Sequence, residues 1–176
     1  MPKPTTTRAR SKPIKRPKKR GRKVTKRGLL KRLDMAFSWY MRLRYSDDDG
    51  IGVCYTCGKK DHWTRLQNGH FISRKHFKTR WRSDNCRPQC YGCNITRSGE
   101  QWLFGRRLDQ EYGQGHTDKI YRLSRQKYQP THEEYEKWID YYESHVAAIL
   151  ARRVKSDSGE HSTIPSRIIE RIHIHR

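Results

Sequence analysis

No stretch of this 176-residue chain approaches the roughly 20 consecutive apolar residues that span a membrane. The basic N-terminus is not followed by the apolar segment of a secretory signal, so the expectation is a cytoplasmic, reducing setting. Apolar residues are scarce as well, at 32% against 33% charged. The hydrophobic core must therefore be small, and small cores usually need a staple such as a metal. Acids are the third shortage. Eighteen Asp and Glu face forty Lys and Arg, leaving a net charge of +22. That excess exceeds what solubility requires and points to a polyanionic partner, nucleic acid being the commonest.

The shortage of acid is complete over residues 1–27, which hold thirteen Lys or Arg, four prolines and no Asp or Glu. Self-repulsion and proline oppose packing there, so this stretch reads as a disordered basic arm that binds phosphate through counterion release. Its cluster Lys18, Lys19 and Arg20 is a candidate DNA contact. The length leaves room for one domain, taken here as residues 28–153, with a loosely structured tail over 154–176.

The five cysteines, Cys54, Cys57, Cys86, Cys90 and Cys93, are odd in number and closely spaced, which argues against a disulfide framework. Cys54/Cys57 and Cys90/Cys93 form two Cys-x-x-Cys turns, each presenting two thiolates to one side of a tight loop. Together they predict a closed, tetrahedral, structural Zn²⁺ site. Cys86 is left for packing.

Around this module the pattern is mostly helical. Leu29, Leu33, Phe37, Tyr40 and Met41 fall on one face of a helix over 25–44. Residues 51–58 read as a strand entering the first knuckle, Trp63–Ile72 as the strands of a hairpin, and 73–89 as a long basic loop. A helix is expected over 94–108 and another over 118–127 capped by Thr117. Thr131 and Glu134 make a capping box that opens a third, over 131–153. Trp63, Trp81 and Trp102 are open to two uses, packing on the zinc module or wedging into opened DNA.

Between the knuckles lie Asn68, Gly69 and His70, then Asp84 and Asn85, with Asn94 just after. An imidazole titrates near neutrality and can deprotonate water, the step that phosphodiester hydrolysis needs beside a divalent cation. Arg74, Arg87 and Arg97 are candidates to neutralise phosphate charge, and Arg80 is a further basic residue of the same loop.

The order Cys-x-x-Cys, strand-end His, loop Asn, Cys-x-x-Cys, Asn resembles the zinc-stapled HNH (ββα-metal) endonucleases. More narrowly, LDMAFSWYMRLRYSD (33–47), CYTCGK, QNGHFISR (67–74), TRW (79–81) and NCRPQCYGCN (85–94) resemble the NinG/Rap family of lambdoid phage recombination proteins. The resemblance covers roughly residues 28–115. It implies an α+β fold with a small zinc-stapled ββα-metal core flanked by helices. It also implies a Mg²⁺- or Mn²⁺-dependent endonuclease for branched DNA such as Holliday junctions and D-loops, acting in the host-cell cytoplasm. His70 is carried over as general base, Asn85 as the residue that orients it, and Asn94 as the last metal-site residue. Gly69 departs from the pattern, standing where many HNH nucleases place a metal-binding Asp or His. Asn68, two residues before His70 on the same strand face, and Asp84 are the substitutes. A homodimer would suit a symmetric four-way junction. The rival readings are a non-catalytic zinc-finger nucleic-acid-binding protein and a ribosome-associated protein.

Overall fold

The computed structural model describes residues 24–156. Lys18, Lys19 and Arg20, together with most of the 154–176 tail, lie outside the described residues. Helix α1, Lys26–Arg44, opens on Thr25, whose hydroxyl accepts the Gly28 amide at 3.2 Å. This side-chain cap is what fixes the start of the helix. Its buried stripe comprises Leu29, Leu33, Ala36, Phe37, Tyr40, Met41 and Leu43.

That stripe lies against the last described helix, α5 (His132–Ser156), which buries Tyr135, Ile139, Val146 and Leu150. The expected capping box is present: the Thr131 amide donates to Glu134 Oε2 at 2.8 Å and the Glu134 amide to Thr131 Oγ1 at 3.2 Å. Phe37 meets Tyr142 edge-on at 5.0 Å. Arg32 forks Glu143 at 2.8 and 2.6 Å, and Arg153 donates to the carbonyls of Leu43 and Ser46 at the end of α1. Early positions thus meet early positions and late meet late, so α1 and α5 run side by side in the same direction. Each buried Leu, Ile or Phe in this seam contributes about 1.5–3 kcal/mol.

Between the helices sit two separate two-stranded antiparallel sheets. Strands β1 (Ile51–Val53) and β2 (Lys60–His62) pair across the first knuckle. Strand β3 (Gln67–His70) pairs with β4 (Cys86–Gln89), Gln67 opposite Gln89 and His70 opposite Cys86. This corrects the expected hairpin over Trp63–Ile72 and the expected loop over 73–89. The partner of the His70 strand is the end of that loop. Its sequence, CRPQ, hides the strand because it carries a proline and lacks alternating apolar residues.

A short helix α2, Phe77–Arg80, lies inside the connection from β3 to β4. The helix expected over 94–108 is two pieces, a π-turn over Gly92–Thr96 and helix α3 over Gln101–Tyr112. They are parted by Ser98, Gly99 and Glu100, all with positive φ. Helix α4 is His116–Ser124, a little earlier than expected. Thr117 does not cap it; its hydroxyl and amide both donate to Asp109 at 2.9 Å. The whole is α+β, as expected, and no helix of the described residues is long and apolar enough to cross a membrane.

Candidate metal centre and groove

The Sγ atoms of Cys54, Cys57, Cys90 and Cys93 all lie within 4.8 Å of one another, and all four thiols are free of disulfides. Metal–sulfur bonds of about 2.3 Å in a tetrahedron require S···S edges of about 3.8 Å. Cys57 and Cys90 stand 3.7 Å apart. Donor type, number and spacing therefore fit Zn²⁺, and the closed shell makes the site structural. Burial raises the Cys54 thiol, but amides of Cys57, Cys90 and Thr56 and the Thr56 hydroxyl outweigh it and bring the thiol down to about 6. Arg97 donates to Cys93 Sγ at 2.7 Å and so offsets part of the charge that four thiolates would accumulate. The cluster joins the turn of the first hairpin to the end of β4.

Beside it, His70 ends β3 and faces an open groove of about 970 Å³ whose lining includes Asn68, Asn94, Arg74, Asp34 and Gln101. His70 Nε2 lies 3.0 Å from the main-chain oxygen of Arg80, and Nδ1 lies 3.1 Å from that of Asn68. Burial pushes the imidazole down to about 4, aided by Arg74 and opposed by the two carbonyls and by Asp34. The ring is therefore neutral at pH 7 and has one N–H to share between two acceptors.

Gly69 points the other way. A Cβ there would meet Gln89 Oε1 at 2.1 Å, so any side chain at 69 must displace the Gln89 side chain. The Gln89 amide that occupies this space donates to Thr56 Oγ1 and to the Gly99 carbonyl, tying the two knuckles together.

The chain matches the family model described as bacteriophage lambda NinG protein over residues 3–151. It belongs to the NinG family. No curated protein and no solved structure matches it.

In this NinG-family chain the sequence-derived site residues have unequal fates. Asn68, His70, Arg74 and Asn94 share the groove. Asn94 donates to Gln67 Oε1 at 2.6 Å, and Asn68 Oδ1 is buried without a hydrogen-bond donor. Asn85 does not touch His70. Fully buried, it accepts the Ile72 amide at 2.7 Å and donates to the carbonyls of Ile72 and Thr79 at 3.0 Å. It therefore fixes the connection that carries the Arg80 carbonyl, and acts on His70 at one remove. Asp84 is taken up by Arg82, at 2.9 and 2.6 Å, and does not line the groove.

Three of the arginines expected on DNA are committed elsewhere. Arg87 is 1% exposed, paired with Glu111, bonded to the Ser83 carbonyl and packed against the rings of Tyr45, Tyr55 and Tyr112. Arg80 is forked by Asp34 at 2.8 and 2.5 Å, and Arg97 divides between Glu100 and Cys93. Arg74 alone of the four opens onto the groove.

Asp34 was missed by the sequence reading. It is the one carboxylate among the described residues that line the groove, and besides Arg80 it accepts the Trp81 indole N–H at 2.9 Å. Its place in α1, beside but outside the buried stripe, gave no sign of it, since i, i+4 periodicity reports burial and not reach.

Proposed function

We propose that this NinG-family protein is a DNA endonuclease, acting on branched recombination intermediates in the host-cell cytoplasm. The observation that carries the reading is His70, neutral at pH 7, anchored through Nε2 on the Arg80 carbonyl and facing a groove that Arg74 makes cationic. In the tautomer whose proton lies on Nε2 and is donated to the Arg80 carbonyl, Nδ1 keeps its lone pair and, once turned from the Asn68 carbonyl 3.1 Å away, is the atom that accepts a proton from water. The resulting hydroxide attacks phosphorus in line, the P–O3′ bond breaks, the departing 3′ oxygen takes a proton from solvent water, and His70 returns its own proton to solvent, leaving a 5′-phosphate and a 3′-hydroxyl. Arg74 neutralises charge on the phosphate.

The resemblance to HNH nucleases also implies Mg²⁺ or Mn²⁺. Asn68 and Asn94 line the groove and carry its neutral side-chain oxygens, Asn68 Oδ1 being buried without a donor and reaching a cation only by rotation of the side chain, whereas Asp34 is already occupied by Arg80 and Trp81. Such a set suits a cation shared with the substrate phosphate and is too weak to hold one alone. When bound there the ion would supply positive charge at the leaving oxygen.

The test is cleavage of a labelled four-way junction and a matched linear duplex, with and without Mg²⁺, by the full chain and by His70→Ala. Nicking that needs the metal and disappears in the variant, while binding persists, supports the reading. Binding without nicking under any divalent ion favours the zinc-finger binding protein instead.

A further inference from the structure

Trp102 is the most exposed large hydrophobic residue of the described chain, at 73%, while Trp63 and Trp81 are at 3% and 8%. Nothing in the fold requires it to be tryptophan, because an exposed ring gains little by folding. Its position is specific. Trp102 lies in the first turn of α3, next to Gln101, which lines the groove and whose amide donates to the His70 carbonyl at 3.3 Å. One helical turn on, Arg106 lies 4.9 Å from the Trp102 ring centroid, and no acidic side chain among the described residues pairs with it. Ile95, 52% exposed and itself on the groove wall, comes from the turn just before α3.

We propose that Trp102 is a stacking platform for an unpaired nucleobase at the rim of the His70 groove, with Arg106 holding the adjacent phosphate. The proposal rests on the reading that nucleic acid occupies the groove, and adds which form of it is preferred. In a duplex both faces of each base are covered by neighbours, so the indole has nothing to stack on. An unpaired base presents a free π-face, and stacking on an aromatic side chain is indifferent to which base it is. The platform therefore selects for disrupted pairing and not for sequence. It also gives the tryptophan a partner that its apolar surface and the cation beside it both suit.

The experiment measures binding without Mg²⁺, so that cleavage plays no part. The probes are a fully paired duplex and the same duplex with a short single-stranded gap carrying 2-aminopurine. The full-length chain is compared with Trp102→Ala and Trp102→Phe. The expected result is that Trp102→Ala loses affinity for the gapped probe by on the order of ten-fold or more, as for one base–aromatic stack. Trp102→Phe should retain most of that affinity, and the paired duplex should bind all three alike. The change in 2-aminopurine emission on binding should vanish with Trp102→Ala. Equal affinity of all three proteins for the gapped probe overturns the proposal. So does a Trp102→Ala chain that sediments as a smaller species than the unaltered one, since the indole would then serve contact between copies. Failure of the unaltered chain to bind either probe overturns the nucleic-acid reading itself, a distinguishable result.

Discussion

Arg80 holds His70 through its main chain and Asp34 through its side chain. The carbonyl lies 3.0 Å from His70 Nε2, and the guanidinium is forked by the carboxylate at 2.8 and 2.5 Å. The imidazole is thus referenced to helix α1 through a single residue. Replacing Asp34 by Asn removes the charge that Arg80 and Trp81 share. Turnover of a junction substrate should fall roughly 10–100-fold, the range for outer-shell partners. Binding should change little, and Asp34→Glu should recover part of the loss. A variant with weakened binding and unchanged turnover would contradict this positioning role.

The pH dependence follows from the burial of His70, which is pushed from 6.5 to about 4. A base works when unprotonated, so cleavage should stay level as pH falls from 8 through 6 and decline only toward 4. The same shift affects stability. Between 6.5 and 4 the unfolded chain takes up the proton that the folded imidazole refuses, so stability is lost as pH falls through that window. His70→Ala should lose less stability there, as thermal melting at pH 7 and pH 5 would register. An acid limb near 6.5 would mean that the ring is solvated in the working enzyme.

Gly69 predicts the failure of an obvious repair. Restoring the acid that many HNH nucleases carry before the histidine places a Cβ 2.1 Å from Gln89 Oε1. Gly69→Asp should therefore lower the melting temperature and bring no gain in Mg²⁺ affinity, measured by titration calorimetry. A more active, equally stable variant would show that Gln89 yields easily.

Arg87 should behave as a structural cation. Arg87→Ala empties a cage of three tyrosine rings and leaves the exposed Glu111 with the Tyr55 hydroxyl alone, so it should lower the melting temperature. Any loss of DNA binding at room temperature should disappear once the folded fraction is accounted for. Arg74→Ala should do the reverse, weakening binding without altering the melt.

The zinc centre predicts metal stoichiometry. Mercurial titration with a colorimetric chelator should release a single equivalent of zinc per chain, and the melt should lose cooperativity as it does so. Cys86→Ala, outside the cluster, should leave that stoichiometry unchanged.

The cysteine pairs, α1 and the capping box of α5 were legible in the sequence because each depends on local spacing. Two thiolates per turn, apolar residues at i and i+4, and Thr131 three residues before Glu134 carry their own geometry. The pairing of β3 with β4 was not legible, since CRPQ owes its burial to distant partners such as Glu111. The same holds within the groove. His70, Asn68 and Asn94 could be read from their order along the chain, but Asp34 enters the groove wall from α1, with Arg80 and Trp81 as its partners, a meeting no local spacing announces. The fates of Arg80, Arg87 and Arg97 were misread because charge in a sequence does not reveal whether an acid lies within reach.

The parallel course of α1 and α5 has a kinetic meaning. Parallel neighbours need a long return path, and here that path contains both sheets, the four cysteines and the groove. The seam is made of contacts far apart in sequence, which slows folding. During synthesis the part of the α1 stripe that faces α5 must wait uncovered until the chain beyond residue 131 has emerged. The knuckles can close earlier around their metal. Assembly should therefore run from the middle of the chain outward, and a polypeptide truncated before α5 would hold its zinc, keep the Asp34–Arg80 link, and leave the α5-facing side of α1, with Phe37 and Tyr40, uncovered.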